Sequence, residues 1–478
     1  MTAETSVLIT IVTLEKREFM RITVIGTGYL GATHAACMAE LGYEVLGLDI
    51  DPARVASLSE GLLPFHEPGL PELLRKHVKS GRLRFTTSYQ EVGAWGDVHF
   101  IGVGTPQRAG AGAADMSFVD AATTSLARNI TKDALIVGKS TVPVGTTRRL
   151  KSLVRENKRP GVRVNLAWNP EFLREGFAVV DTLAPDRLVI GVDSPEDEKI
   201  LRQVYAAAVA GGVPLISTDF ETAELVKVAA NAFLATKISF INAFSEVTEV
   251  IGGDIRTLAD AIGLDARIGR RFLNAGIGFG GGCLPKDIRA LQARAAELGA
   301  DRSMRFLDEM DGINLRRRER VVDLARVMVG SLSQTRIAVL GVAFKPNSDD
   351  VRDSPALDIA DRLADEGAQI CIYDPAGNLN ASRRSPQHNY VLSTEDAVKN
   401  ADLILLLTEW DEFKALTPEG LSAQTGARKI IDGRNVLQAK AWEDSGWSVA
   451  SPGRRFEANH LTNMPPSEQL QLSSGPAA

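Results

Sequence analysis

The sequence predicts an α/β protein: two doubly wound, mostly parallel sheets, each the centre of a domain, joined by a long central helix and further helical sequence. Three observations carry this. Short apolar runs alternate with helix-length stretches through the first 215 residues. A stretch free of Gly and Pro follows, from Thr222 to Ile251. A second series of short apolar runs then opens at Arg336. With 478 residues, 44% of them hydrophobic, the chain is long enough for two or three separate cores.

In order, residues 1–20 hold one apolar run, Val7 to Leu14, too short to span a bilayer and flanked by charges on the wrong side for a signal peptide. They read as an extension, disordered or left by a misassigned start, since Met20 directly precedes the first strand. "RITVIGTGYLGATHAACMAELGYEVLGLDI" is strand, glycine turn, helix and second strand, ending at Asp49. The runs "DVHFIGVGTP", "ALIVGKSTVP", "VNLAWNPEF" and "RLVIGV" continue the same parallel sheet and place the first domain at 21–215. Residues 216–330 are helical. The Gly- and Pro-free stretch alone spans roughly 45 Å at 1.5 Å per residue, longer than a small domain needs, so it links two domains and supports a subunit interface. Residues 331–451 form the last domain, whose runs "RIAVLGVAFKP", "QICIYDPA", "ADLILLLTEW" and "RKIIDGRNVL" echo the first. From 452 to 478 the composition turns to Pro, Ser, Asn and Gln without apolar period, which predicts a disordered tail.

The formal net charge of -6 gives no general attraction to nucleic acid or to an anionic membrane. Three cysteines, at 37, 283 and 371, have no C-x-x-C spacing, so neither a disulfide framework nor a metal site is expected, and a reducing cytoplasm fits best.

Gly26, Gly28 and Gly31 form G-x-G-x-x-G between a strand and a helix, with Asp49 closing the next strand. That is the dinucleotide fingerprint in its context, and it makes the first domain Rossmann-like. The first glycine permits the turn, the second lets a pyrophosphate approach, and the third lets helix and strand pack, with phosphates on the helix N-terminus. Asp49 would accept from ribose hydroxyls and repel a 2′-phosphate, so NAD is expected over NADP; Arg54 nearby complicates this. Ordinary turn glycines are the alternative, and the strand, helix and distal acid together weigh against it. The last domain, also Rossmann-like, has Ala343 and Pro346 where Gly28 and Gly31 stood. It should not hold a dinucleotide the same way. Lys345, Arg352 and Arg434 lie near its strand ends, where either a phosphate-bearing ligand or plain solvated charge accounts for them.

In "GFGGGCLPKDIRALQARAAEL", Pro285 suits the first turn of a helix, which places Cys283 at its N-terminus. The helix dipole and Lys286 would favour the thiolate, the glycines would leave amides bare for a ligand, and Asp287 would orient water or take a proton. Cys37 and Cys371 sit in apolar segments and read as packing residues. NAD beside a nucleophilic thiolate points to oxidation at the aldehyde level, through a thiohemiacetal and a thioester.

From about Arg21 to Val449 the chain resembles the UDP-glucose/GDP-mannose dehydrogenase family, through "GTGYLG", "GTP" at 104–106, "KSTVPVGT" at 139–146, "NPEFLREG" at 169–176, "ELVKVAANAFLATKISFIN" at 224–242, "GFGGGCLPKD", "FKPNSDDVRDSP" at 344–355 and "DGRN" at 432–435. The resemblance implies oxidation of C6 of a nucleotide sugar twice, with two NAD and one water. It implies Cys283 as nucleophile, with Lys227, Asn231 and Asp287 around the reacting carbon and its water. Glu171 would approach the sugar and assist thioester hydrolysis, beside Phe172 and Leu173. Ser140 and Thr141 would flank cofactor and catalytic water, and Thr105, Glu175, Lys286 and Arg352 would lie on the cofactor side. Phe279 and Gly280 would contact the sugar nucleotide, with Lys345 and Arg434 holding it from the last domain. Arg267 would cross into a second subunit's site, so a homodimer or higher oligomer is implied, with the central helical region as its dimerisation region. Relatives often read "GGSC" and "DPRIG" where this chain has Gly282 and Ala266.

Three alternatives stay open. The same chemistry could act on GDP-mannose or a UDP-N-acetylhexosamine, although "NPEFLREG" with "GFGGGCLPKD" leans toward a UDP-glucose substrate. A two-electron hydroxyacid dehydrogenase would need no cysteine. A nucleotide-sugar sensor that binds NAD without turnover would need no nucleophile.

Overall fold

The structure, a computed structural model, describes residues 20–456. The expectations for the extension up to residue 19 and for the tail from 457 fall outside them. The first sheet contains Arg21–Ile25 (β1), Glu44–Leu48 (β2), Leu83–Thr86 (β3), Val98–Ile101 (β4), Ala134–Gly138 (β5), Val164–Trp168 (β6), Leu188–Gly191 (β7) and Leu215–Thr218 (β8), in the order β3-β2-β1-β4-β5-β6-β7-β8. All neighbours are parallel except β6 and β7, which meet antiparallel at Trp168 and Gly191. Alternate residues feed two cores: Ile22, Val24, Val45, Leu135 and Val137 pack on one face, and Ile25, Leu46, Leu48, Ile136 and Trp168 on the other. A parallel sheet covered on both sides needs such nearly continuous apolar strands. The last strand ends at Thr218, so a boundary at 215 falls at the start of β8 and the first sheet extends slightly further than the composition suggests.

The second sheet contains Arg336–Leu340 (β9), Gln369–Tyr373 (β10), Asn389–Tyr390 (β11), Leu403–Leu406 (β12), Lys429–Asp432 (β13) and Ser448–Ala450 (β14), ordered β11-β10-β9-β12-β13-β14 and parallel throughout. It repeats the 3-2-1-4-5-6 order of the first six strands of the other sheet. In both, the order reverses beside the first strand, which opens a crevice at the strands' carboxyl ends.

Between the sheets runs the central helix, Phe220–Ile251, 32 residues long. Asp219 caps its start by accepting from the Thr222 amide at 2.7 Å, and Gly252, at φ +74°, ends it in the left-handed conformation. A second long helix, Phe306–Val329, is tied to it: Ser239 Oγ donates to the Met310 carbonyl at 2.9 Å, and Arg320 pairs with Glu249. Residues 452–456, which composition assigns to the tail, pack on this helix pair instead. The Gly453 amide donates to Glu249 at 2.9 Å, its carbonyl accepts from Thr248 at 3.0 Å, and Phe456 lies against the second sheet's core. Any tail therefore begins after these contacts, which no local composition reveals.

Among the described residues no helix is long and apolar enough to cross a membrane.

Candidate active site

The glycine turn after β1 distributes its three glycines as the close-approach argument requires. Gly26 takes φ +85°. A Cβ on Gly31 would lie 1.8 Å from the Gly26 carbonyl oxygen, so only glycine lets the helix Tyr29–Glu40 pack on β1. A Cβ on Gly28 would meet nothing within 4 Å. The space over Gly28, at the helix start, is thus free for a phosphate. Asp49, at the end of β2, is buried and accepts from the Thr27 amide at 2.8 Å, the Asp51 amide at 3.1 Å and the Arg54 guanidinium at 3.0 Å. Burial alone would raise its pKa; those donors outweigh it and hold the carboxyl below its ordinary value.

In the second sheet the corresponding acid is closed off. Asp374 receives the amides of Val342, Ala343, Ala376 and Gly377 and the Trp410 indole N–H. Its own loop saturates the carboxylate that would otherwise take a ribose, in keeping with the missing glycines.

Cys283 is the N-cap of the helix Leu284–Glu297, whose first turn contains Pro285. The residue is reachable from solvent and lies among loops of both sheets: Lys286 reaches Thr105 of the first, and the second closes on Gly280 and Gly281. Asp287, one turn on, is buried; its Oδ2 accepts from Asn231 Nδ2 at 2.7 Å and its Oδ1 from Lys286 Nζ at 2.6 Å. Lys286 continues to Thr105 Oγ1 at 3.4 Å, and Thr105 donates to the Thr141 carbonyl at 2.8 Å. Asn231, Asp287, Lys286, Thr105 and Thr141 therefore form one hydrogen-bonded chain beside the thiol. Ser140, adjacent, is buried and donates to the Val103 carbonyl at 2.6 Å. Lys286 favours the thiolate, in the direction expected of it, but it is outweighed. Burial in the cleft pushes the Cys283 pKa up, Asp287 and Glu175 add to the rise, and Lys227 and Lys286 only partly oppose it. Lys286 acts weakly because Asp287 already holds it.

Lys227, one turn before Asn231 on the central helix, lies 5.5 Å from the Phe172 ring centroid. No carboxylate of the described residues pairs with it. Glu171 is pinned: its Oε1 accepts from the Phe172 and Leu173 amides at 2.7 and 2.8 Å, and its Oε2 lies 3.1 Å from Lys139 Nζ. Burial would raise its pKa, yet Lys139, the Leu173 amide and Lys227 hold it below the ordinary carboxylate range. Glu175 goes the other way, raised first by burial and then by Asp350, against Arg352, Lys345 and Ser348. Arg352, mostly exposed, forks onto Asp350 and reaches Glu175 Oε1 at 3.5 Å. Lys345 lies 5.3 Å from the Phe344 ring, and burial lowers its pKa.

The glycines before Cys283 serve the protein's own packing. A Cβ on Gly280 would sit 2.3 Å from the Asp353 carbonyl oxygen, on Gly281 2.8 Å from the Phe344 ring, and on Gly282 2.2 Å from the Arg352 guanidinium carbon. The second domain's loop closes directly on this run, so glycine is needed at 280 and 281 before any ligand arrives, whereas at Gly282 the neighbour is the movable end of a side chain; of the amides expected to be bare, that of Gly281 donates to the Arg352 carbonyl at 2.9 Å. Phe279 is buried, its amide and carbonyl held by Asn314 at 2.7 and 3.0 Å. Arg434 spends donors on three carbonyls, Leu407 at 2.8 Å, Gly278 at 3.1 Å and Phe344 at 3.3 Å. In the structure it braces the loops, with only part of its fork left for a ligand.

Arg267 is the one site residue that the chain does not bring in. Its side chain is 89% exposed and forks onto Asp265. Four other residues escaped the sequence reading. Lys139, in a quoted motif, is a buried lysine at the end of β5, a signal that was available. Glu67 accepts from the Gly176 and Ala178 amides at 2.6 and 2.7 Å and thereby fixes "NPEFLREG"; Asn314 and Glu224 likewise act across long sequence separations. None of these three carries a local signal.

Models of the UDP-glucose/GDP-mannose dehydrogenase family match three segments: the NAD binding domain at residues 20–209, the central domain at 221–316 and the UDP binding domain at 338–439. The chain is 40% identical over 438 residues to a UDP-glucose 6-dehydrogenase of Rhizobium meliloti (strain 1021), covering 91% of this chain and 100% of that one. It is 42% identical over 440 residues to a UDP-glucose 6-dehydrogenase of Rickettsia conorii, again covering 91% and 100%. Among solved structures it resembles a UDP-glucose dehydrogenase from Pyrobaculum islandicum, with TM-score 0.85 and 35% identity over 92% of this chain and 100% of that one.

Proposed function

We propose, for a chain that belongs to the UDP-glucose/GDP-mannose dehydrogenase family, that it oxidises C6 of UDP-glucose to the carboxylate of UDP-glucuronate with two NAD and one water. The observation that carries this is the convergence on one cleft of a cysteine at a helix start, an Asn-held aspartate and an unpaired lysine. The relatives named UDP-glucose 6-dehydrogenase, which match nearly the whole chain, support the choice of sugar.

NAD fits the residues present: the free space over Gly28 suits the pyrophosphate and Asp49 the adenosine ribose, with Thr105, Ser140, Glu175, Lys286 and Arg352 toward the other end. When bound, it accepts a hydride from C6 in each of the two oxidations. In the first, the C6 hydroxyl loses its proton to water held by Asp287 as the C6–H bond breaks, leaving an aldehyde. Cys283 Sγ, once deprotonated, adds to the aldehyde carbon, and Lys227 stabilises the resulting oxyanion of the thiohemiacetal. Loss of the second hydride converts this to a thioester. Water oriented by Asp287, with Glu171 held ionised nearby, attacks the thioester carbon, and the C–S bond breaks to return the thiolate and release the carboxylate. Two hydrides and three protons leave in all, which balances one alcohol and one water.

We assign Phe172, Leu173, Phe279, Gly280, Lys345 and Arg434 to the sugar-nucleotide side. We propose that the assembly is a homodimer or a higher homo-oligomer. Phe233, Phe240, Phe244, Val247 and Ile251 form an exposed apolar stripe along the central helix, and Arg267 projects outward as a residue that completes a partner's site would. A working Cys283 thiol supports a reducing cytoplasm as its location.

Cys283→Ser tests the path. Steady-state NADH formation should fall by at least about 10³-fold while UDP-glucose binding persists; turnover close to the unsubstituted rate would rule out the thioester.

A further inference from the structure

The helix Thr146–Asn157 has no side-chain cap of its own. Its orphan amides are met from 77 residues away. Glu224, on the central helix and 2% exposed, accepts from the Gly145 amide through Oε2 at 2.6 Å. Its Oε1 accepts from the Thr147 amide at 2.6 Å and the Thr147 hydroxyl at 2.5 Å. A carboxylate at a helix N-terminus satisfies orphan donors and complements the dipole, and here the carboxylate belongs to another element.

Placement gives this cap its meaning. Glu224, Lys227 and Asn231 stand at i, i+3 and i+7, on one face of the central helix. The capped turn ends the loop 139–146, which carries Ser140 and Thr141. The same loop is gripped from the cysteine's helix, where Arg294 Nε donates to the Val144 carbonyl at 2.9 Å. The two helices that supply Lys227, Asn231, Cys283 and Asp287 thus each hold the loop on the cofactor side, at adjacent residues.

We propose that Glu224 is a positioning residue for the oxidation: its cap on the Gly145–Thr147 turn sets the loop bearing Ser140 and Thr141 at a fixed distance from Lys227. The assignment rests on the function proposed above. It touches neither sugar nor cofactor, so its loss should fall on cofactor-dependent steps. A misplacement of about 1 Å in a reacting geometry costs roughly 100-fold in rate, and a loosened loop should cost part of that.

The test measures kcat, the KM for NAD, the KM for UDP-glucose and the Tm of the full-length protein and of the Glu224→Ala, Glu224→Gln and Thr147→Val variants. The expected result is a fall in kcat/KM for NAD of about tenfold or more in Glu224→Ala, with the KM for UDP-glucose within about twofold of the unsubstituted protein. Glu224→Gln, which keeps one acceptor, should recover part of the loss. Thr147→Val, which removes one hydrogen bond and keeps the shape, should give a smaller fall in the same parameter even where Glu224→Ala fails to fold. Unchanged kcat/KM for NAD in the folded variants, or a loss spread equally over both substrates and tracking Tm, overturns the assignment. An unsubstituted protein that makes no NADH from UDP-glucose overturns the function beneath it, a result distinguishable from either.

Discussion

A methyl group added at Gly31 would land 1.8 Å from the Gly26 carbonyl oxygen, whereas one at Gly28 would meet no atom within 4 Å. The two positions separate packing from binding. Gly31→Ala should destabilise the fold by about 3 kcal/mol, the upper range for overpacking, seen as a lower Tm. Gly28→Ala should leave Tm unchanged and weaken NAD binding, because the methyl occupies the space kept for the pyrophosphate. Equal Tm losses at both would remove the distinction. Cys283 makes a different point at the same scale. Burial, Asp287 and Glu175 push its thiol pKa up, which favours the neutral thiol in the free protein. Alkylation by iodoacetamide without ligands should therefore be slower at pH 7 than for a free thiol, and should keep rising with pH beyond the ordinary thiol value of about 8.5. A rate already level below pH 8 would contradict the raised pKa. What was legible here was chemistry close in sequence: the glycine spacing, Asp49, and Cys283 before Pro285. The rise of the thiol pKa was not, because it comes first from burial, which only the folded chain sets, and then from Asp287.

The central helix works as a ruler whose faces carry different tasks. One face carries Glu224, Lys227 and Asn231; another exposes Phe240 and Phe244, with ring centroids 4.7 Å apart, beside Val247 and Ile251. Aromatic side chains exposed in a row on a rigid helix are costly in water and are the usual anchors of an interface. Phe244→Glu should shift the protein from dimer to monomer in sedimentation, and activity should fall with it, because Arg267 would then complete no neighbouring site. A monomer with full activity would contradict the role of Arg267. The helix itself was legible from its Gly- and Pro-free run and its Asp219 and Gly252 bounds. The partners that brace the site were not. Lys139 meets Glu171 only because β5 and β6 pair in register, and Asn314 reaches Phe279 from 35 residues away through the packing of two long helices.

At the scale of the whole molecule, two sheets of the same strand order face one cleft with different endowments. The first keeps the Gly28 space free and its acid at the crevice; the second fills its own crevice by closing five donors on Asp374 and sends Phe344, Arg352 and Arg434 onto the glycines before Cys283. The repeat was visible in the strand runs, and the missing glycines showed that the second half had another role. Its use as a wall against the cysteine loop emerges only when the chain is folded, as does the docking of residues 452–456 on the long helices. A double oxidation through Cys283 is tested by the NADH formed per molecule of limiting sugar nucleotide with excess NAD, run separately on UDP-glucose, UDP-N-acetylglucosamine and GDP-mannose. Two NADH per UDP-glucose and little from the others are expected. One NADH per UDP-glucose, or none, would contradict the double oxidation.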